Sequence, residues 1–590
     1  MLRRKIVGVF LVYAILLPTL AFGQAAPKIY EAPKDVHDKI REEGTKNSQI
    51  LKVLSYLSDV IGPRLTASPG MKRANEWTRD TLTSFGLQNA HLEAWGPFGR
   101  GWTLKRFSAM VDGPTPFPLI AYPKAWSPGT DTLIPPPPAP NPKAKGKSSA
   151  TAPAASANTA FSGEVVRFNA ANEAELDQYK GKLKGKIVMI GAIREIPARF
   201  DAPGKRYTDS ELLALADAPD PAAPRPAGNR PAGPGGPGGG NAFQFNAARF
   251  RFLADEGAAI ILDSARGDGG TLFVQSATAV QPPPAAAGAP ANPPARIYDK
   301  GTRVPIQVSV AAEHFNRMAR MIDAGEKVNA TIDLAVEYQD QDLNGYNTIA
   351  EIPGTDKADE IVMLGGHLDS WHSGTGATDN AAGCAVMMEA VRILQAAGLK
   401  PRRTIRIALW TGEEQGLLGS RAYVRQHFGY RGTGTTPAFG GGGQGAAQLP
   451  LTKLPEYDKL SAYFNIDNGT GKIRGIYEQG NDNVRHIFRQ WFQAFRDPKW
   501  YDANGKLDMS AKTISISNTG GTDHQSFDAI GLPGFQFIQD EVEYNQRTHH
   551  SNMDVFDRIQ GDDVKQMAII LATFVYQTAM MDEMMPKKNQ

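Results

Sequence analysis

Downstream of Val336 the chain alternates between two hydrophobic rhythms. Short apolar runs at 361–364, 404–410, 462–466 and 534–538 have the length of strands, and the uninterrupted Ile361-Val362-Met363-Leu364 is what a strand buried on both faces looks like. Between and after these runs, 381–394, 417–426, 483–495 and 562–580 read as helices. Strands alternating with helices predict an α/β fold, a sheet sandwiched between helices.

Upstream, Ile50, Leu51, Leu54, Leu57 and Ile61 recur at helical spacing, Gly62-Pro63-Arg64 breaks the chain, and a second helical pattern runs over 74–85. The stretch from Pro114 to about Leu334 is different. It holds strand-like pieces at 163–166, 187–190, 258–262 and 304–308, and helical ones at 250–257 and 311–324. These are interrupted by Pro-, Ala- and Gly-rich stretches at 135–157, 218–241 and 281–295, and a fourth, Gly-rich stretch lies at 432–445. None has the apolar content to build a core, so all read as surface insertions. The expected organisation is one α/β unit, 30–113 with 336–585, split by an inserted β-rich unit at 114–335.

The ends and the composition narrow the class. Arg3, Arg4 and Lys5 precede an apolar stretch over 6–22, and Ala21-Phe22-Gly23 offers small residues for cleavage before Gln24, so 1–23 reads as a signal peptide. Export to a periplasmic or secreted location is expected, with no stable membrane anchor after cleavage. The net charge of +3 on 590 residues gives no reason to expect nucleic acid. The single cysteine, Cys384, excludes an intrachain disulfide, and in Ala382-Gly383-Cys384-Ala385 it reads as a small buried side chain.

The candidate chemistry sits at the ends of the predicted strands. His367 follows the first run after Gly365-Gly366, Glu413 and Glu414 follow the second, Asp467 the third, and His549-His550 come after the fourth at a longer interval. In open α/β sheets the carboxyl ends of the strands border one crevice, so these groups converge. Asp379 stands just before the helix over 381–394, where a Gly- and Ser-containing loop can fold it over the same crevice. Imidazole and carboxylate are zinc ligands. Two ions about 3.5–4 Å apart would clamp a water and polarise a carbonyl, and they need a bridging carboxylate between them. Of Glu413 and Glu414, one would ligate and the other would stay free to take a proton; spacing leaves open which. Asp369 is placed to accept the second ring N–H of His367.

Four segments carry a resemblance: Gly365-Gly366-His367-Leu368-Asp369-Ser370, Thr378-Asp379-Asn380-Ala381-Ala382-Gly383, Trp410-Thr411-Gly412-Glu413-Glu414-Gln415-Gly416-Leu417-Leu418-Gly419-Ser420 and His549-His550-Ser551-Asn552-Met553-Asp554. They resemble the family twenty-eight metallopeptidases, co-catalytic zinc aminopeptidases and carboxypeptidases, and among them the plasma glutamate carboxypeptidase type, which also begins with a segment like Gly62-Pro63-Arg64-Leu65-Thr66-Ala67-Ser68. Gly185-Lys186-Ile187-Val188 and Glu256-Gly257-Ala258-Ala259-Ile260-Ile261 make the insertion similar to a protease-associated domain. The resemblance implies a mixed sheet sandwiched between helices, the zinc exopeptidase fold. It implies two zinc ions held by His367, Asp379 as the bridge, Glu414, Asp467 and His550, with Glu413 as general base and Asp369 as the orienting carboxylate. His550 is preferred to His549 because the family's ligand histidine precedes an Asp by four positions, here Asp554. His549 stands where simple aminopeptidases of the family carry Tyr and would help the oxyanion or the substrate. His372 and His524 read as wall or structural residues, and the Gly-rich 519–523 loop as a candidate pocket lining. The implied activity is peptide-bond hydrolysis by an exported exopeptidase, an aminopeptidase or dipeptidase acting on a peptide substrate; a homodimer is compatible with it. The rivals are a glutaminyl-cyclase-like acyl transferase on the same fold, a non-catalytic receptor-like binding protein, and an endopeptidase.

Overall fold

The computed structural model describes residues 29–134, 159–223, 239–285, 292–432, 449–496 and 507–588. The expected signal segment, the 135–157 stretch and most of the 218–241 and 432–445 stretches lie outside them, as does part of 281–295.

Alternation along buried strands builds the first sheet. In Lys357–His367, Val362 and Leu364 point into one hydrophobic cluster while Ile361 and Met363 point into another. Arg403–Trp410 repeats this, with Ile405, Ile407 and Leu409 on one side and Ala408 and Trp410 on the other. So does Leu460–Asn465, with Ala462 and Phe464 opposite Leu460 and Tyr463. A period of two with both faces apolar requires cover on both faces. On one side the cover is the helices Ala382–Ala396 and Gly561–Met580, which pack on each other and are buried along most of their lengths, with Lys34–Lys46 and Ile50–Ser55 beside them. On the other side stand Leu418–His427 and His524–Asp528. The sheet has eight strands in the order Gln88–Trp95, Gly345–Ile352, Arg403–Trp410, Lys357–His367, Leu460–Asn465, Gly534–Gln539, Ile473–Tyr477, Thr513–Ser515. The third to sixth are mutually parallel; the strands flanking this quartet run antiparallel to it, so the sheet is mixed.

A second eight-stranded sheet holds Gly101–Gly113, Phe117–Pro118, Ala121–Pro123, Phe161–Phe168, Ile187–Ile190, Ile260–Ser264, Ile306–Val310 and Asn329–Gln339. The helix Ala312–Asp323 covers one face through Phe315, Met318 and Ala319, and Gly239–Asp255 contributes Phe250 and Leu253 to the other. The chain passes between sheets after Trp95 and returns before Gly345. The strand Gly101–Gly113, expected ahead of the insertion at 114, therefore belongs to the second sheet, where it pairs along its length with Asn329–Gln339. That partner is distant in sequence, and nothing local to residues 101–113 announces it. One expected helix is also shorter: 483–495 contains a helix only over Arg485–Trp491, flanked by 3-10 turns.

The two units meet at an aromatic cluster of Leu65, Trp95, Phe98, Trp102, Trp126, Trp371 and Leu418. Isolated bridges, Phe273 to Ser551 and Lys205 to Val542, also join them. Among the described residues no helix is long and apolar enough to cross a membrane.

Candidate metal centre

Parallel register sets the site. His367 lies level with Trp410, three residues before Glu413, and Gly365 lies level with Asn465, two residues before Asp467. His367 and Asp467 thus leave adjacent strands at the same height. Glycine at 365 and 383 is required by close approach: a Cβ would stand 2.4 Å from the Ala408 carbonyl at 365, and 2.4 Å from both the Ile466 carbonyl and Asn380 Oδ1 at 383. Asn380 ties the region together, accepting from Gly383 N at 2.9 Å and donating to Ile466 O at 2.9 Å.

Asp379 is the centre of the group. On one side His367 Nε2 lies 3.2 Å from Asp379 Oδ1, 3.1 Å from Asp467 Oδ1 and 3.9 Å from Glu413 Oε2. On the other, His550 Nε2 lies 3.3 Å from Asp379 Oδ2 and 2.9 Å from Glu414 Oε2. The two oxygens of one carboxylate therefore face two separate sets of donors. His549 Nε2 is 3.8 Å from Asp379 Oδ2, and its ring stacks on Tyr544 and touches that of His550. Of the two rings, it is His550 that also meets Glu414.

The turn carrying Glu413 and Glu414 is held from below by Asp369. Its carboxylate accepts from Glu413 N at 3.2 Å, Glu414 N at 3.3 Å and Thr66 Oγ1 at 3.0 Å. His367 Nδ1 finds its partner in the backbone carbonyl of Asp369 at 3.0 Å, with the carboxylate farther off at 3.7 Å. The main-chain carbonyl of Asp369 is therefore the nearer acceptor for His367 Nδ1, while its carboxylate also binds the 413–414 turn.

Burial and charge act together here. Burial pushes Glu413 and Glu414 well above the usual carboxylate range, reinforced by Asp467 at Glu413 and by Asp379 at Glu414. Asp379 goes the other way: burial opposes its charge, but the His367 hydrogen bond and the nearby His550 and His549 rings outweigh it and hold the carboxyl low. For His367 burial is outweighed by Asp467 and Glu413, and its value rises. Burial lowers His549 and His550. Cys384 donates to the His367 carbonyl at 3.0 Å, and burial pushes its thiol up to about 12, so it is a neutral packing group.

The donors suit metal binding. Asp379 Oδ2 and Glu414 Oε1 are buried and make no hydrogen bond, which is costly for carboxylate oxygens. One ring N–H cannot satisfy the several carboxylates that crowd His367 Nε2. The ligating atoms of His367, Asp379 and Asp467 lie within 4.8 Å of one another, as do those of Asp379, His549 and His550. Carboxylate and imidazole are the set that suits zinc.

Two supporting residues acquire their roles only in three dimensions. Arg64 is fully buried and donates to the carbonyls of Leu57, Gly62, Leu368, Thr375 and Gly376, fixing the loop between His367 and Asp379. In the sequence Arg64 shows only as part of the Gly62-Pro63-Arg64 break and of the 62–68 segment that shares the family resemblance. Asp554 accepts from Thr378 N at 2.6 Å and Asp379 N at 3.1 Å; burial and the adjacent Asp379 carboxylate push it up to about 7. His372 and His524 are buried, bonded to the carbonyls of Pro123 and Thr519, and lowered by burial to about 4. In the 519–523 loop Thr522 binds Asn465, and burial brings Asp523 up to about 7.

Residues 347–575 match the model of Peptidase family M28. Carboxypeptidase Q of Mus musculus is 29% identical over 47% of this chain and 51% of its own length. Leupeptin-inactivating enzyme 1 of Streptomyces exfoliatus is 29% identical over 32% of this chain and 34% of its own. The chain thus spans about half the length, or less, of these curated relatives. A crystal structure of a peptidase M28 precursor from Shewanella amazonensis aligns over 94% of this chain and 98% of its own, at 22% identity and a TM-score of 0.57, a likeness of fold.

Proposed function

Residues 347–575 form a peptidase family M28 domain, and on that premise we propose that the chain is an exported, zinc-dependent exopeptidase acting as an aminopeptidase or dipeptidase. His367 and Asp467 would hold one zinc ion, His550 and Glu414 a second, with Asp379 between them. The observation that carries this reading is the division of Asp379: Oδ1 faces His367, and Oδ2 faces His550.

The chemistry two zinc ions supply when bound is Lewis acidity toward a water and toward the scissile carbonyl. The chain's own residues do the rest. Glu413 would take a proton from the attacking water at its carboxylate and return it to the leaving amine nitrogen. Asp369 keeps Glu413 beside the centre by binding both backbone N–H groups of the turn. His549, half-buried beside His550, would donate to the carbonyl oxygen as charge develops there.

A panel of dipeptides, aminoacyl-nitroanilides and N-blocked peptides tests the proposal, run on chelator-treated and zinc-restored protein with metal content measured. The expected result is zinc-restored release of single residues at two zinc per chain. Full activity after complete metal removal would defeat it, and a single tightly held zinc with glutamine cyclisation would favour the acyl transferase.

A further inference from the structure

The inserted unit reaches the candidate metal centre. Its segment 273–276 lies between two neighbours: Ala125 N donates to Gln275 O at 3.1 Å on one side, and Val274 N donates to His550 O at 2.9 Å on the other. Phe273 pairs with Ser551, Leu272 N binds Asn552 Oδ1 at 2.7 Å, and Asn552 N returns a bond to Leu272 O at 3.0 Å. Val274 is fully buried while the next residue, Gln275, is exposed, and Gln275 Nε2 lies 3.0 Å from His550 Nδ1.

His550 needs such support. Its φ is +62°, the left-handed region that a non-glycine residue holds only when its surroundings impose it. It follows the fourth parallel strand by eleven positions, with no regular element of the first sheet to fix it. Its ring must direct Nε2 at Glu414 and Asp379, which leaves Nδ1 to carry the proton, and a proton there calls for an acceptor. Rotating the Gln275 amide by half a turn presents Oε1 at that point; the oxygen and nitrogen of an amide occupy equivalent positions.

We infer that Gln275, from the inserted unit, is a positioning residue of the metal centre: its amide oxygen accepts the Nδ1–H of His550 while Val274 N binds the His550 carbonyl, so a loop of the inserted unit fixes both ring and backbone of a ligand to one of the two ions. His367 receives the corresponding service from within its own strand end, through the Asp369 carbonyl. The two sites would therefore depend differently on the inserted unit, and only the His550–Glu414 site would feel Gln275.

This inference rests on the two-zinc reading. The test is a competition titration of zinc against a chelator on the full chain, for wild type, Gln275→Ala, Gln275→Met and Gln275→Glu. Ala removes the side chain, Met keeps its reach without the acceptor, and Glu keeps an acceptor. The expected result is that Ala and Met weaken one zinc equivalent about 10–100-fold and leave the other unchanged, while Glu holds both within a few-fold of wild type. Wild-type affinity for both equivalents in Ala and Met overturns the inference, as does a Glu variant as weak as Ala. If wild type itself binds no zinc, the metal reading fails first and this inference falls with it.

Discussion

Replacing Arg64 with Met should loosen the region that holds Asp379. The substitution keeps length and apolar stem but removes a donor from five carbonyls: those of Gly62, Leu368 and Thr375, and those of Leu57 and Gly376, which keep a backbone N–H from Gly62 and Ala381. Hydrogen bonds to a charged donor contribute about 1.5–3 kcal/mol each, and a plain sum would rival the 5–15 kcal/mol that holds most domains together. Two terms reduce it. Burying the guanidinium is itself costly, and that cost disappears with the charge. The freed carbonyls of the Gly62 turn and the Thr375-Gly376 loop can also move toward water. Breaking a buried charged network by removing one partner costs about 3–5 kcal/mol, and that is the magnitude expected here. At roughly 2–4 °C per kcal/mol, the transition of the first-sheet unit should fall by about 6 °C or more. Arg64→Lys, a compact donor that cannot reach all five oxygens, should fall between. The assay is a thermal melt of metal-free protein, read beside a zinc titration. An Arg64→Met variant melting within about 1–2 °C of wild type, with unaltered zinc affinity, would refute the reasoning.

The two halves of the proposed centre should fail separately: His550→Ala should lose one zinc equivalent and Asp467→Asn the other, while Asp379→Asn should weaken both, as metal analysis after dialysis would register. A stability prediction concerns His427, which lies 2.9 Å from Glu93 and 3.6 Å from Glu456. Burial opposes its charge, but these carboxylates raise it to about 9, while His427 and Arg406 bring Glu456 down to about 2. The histidine's contribution is complete below about pH 6.5 and is lost as pH rises through 9; that of Glu456 is complete above about 4.5 and is lost as pH falls through 2. His427→Gln should therefore cost about 1–2 kcal/mol near pH 6, after discounting for partial exposure, and almost nothing at pH 10. Denaturant midpoints at the two pH values check this, and an equal difference at both would contradict it.

How much of this was legible beforehand follows from where the information lies. The four parallel strands announce themselves because burial on both faces leaves continuous apolar runs, and the residues just past them fall at one crevice by the geometry of parallel register. The strand Asn329–Gln339 was legible in principle: Ala330, Ile332 and Leu334 alternate toward the core. Gly101–Gly113 was harder to read, being exposed or half-exposed at most positions, since its stabilisation comes from a partner far along the chain. At the centre, residue types and spacing give the donors but not their second partners. Whether the carboxylate or the carbonyl of Asp369 meets His367 depends on the 413–414 turn drawing off the carboxylate. The role of Arg64 depends on a loop three hundred residues away folding around it, and that of Gln275 on a contact between two units.

In the proposed reaction Glu413 moves the proton while its neighbour Glu414 and four other residues hold metal. The most direct measurement is zinc content and peptide turnover together in Glu413→Gln. Two zinc ions should be retained per chain and turnover should fall by at least about 10²–10⁴-fold. Near-normal turnover, or loss of a zinc ion with the substitution, would contradict it.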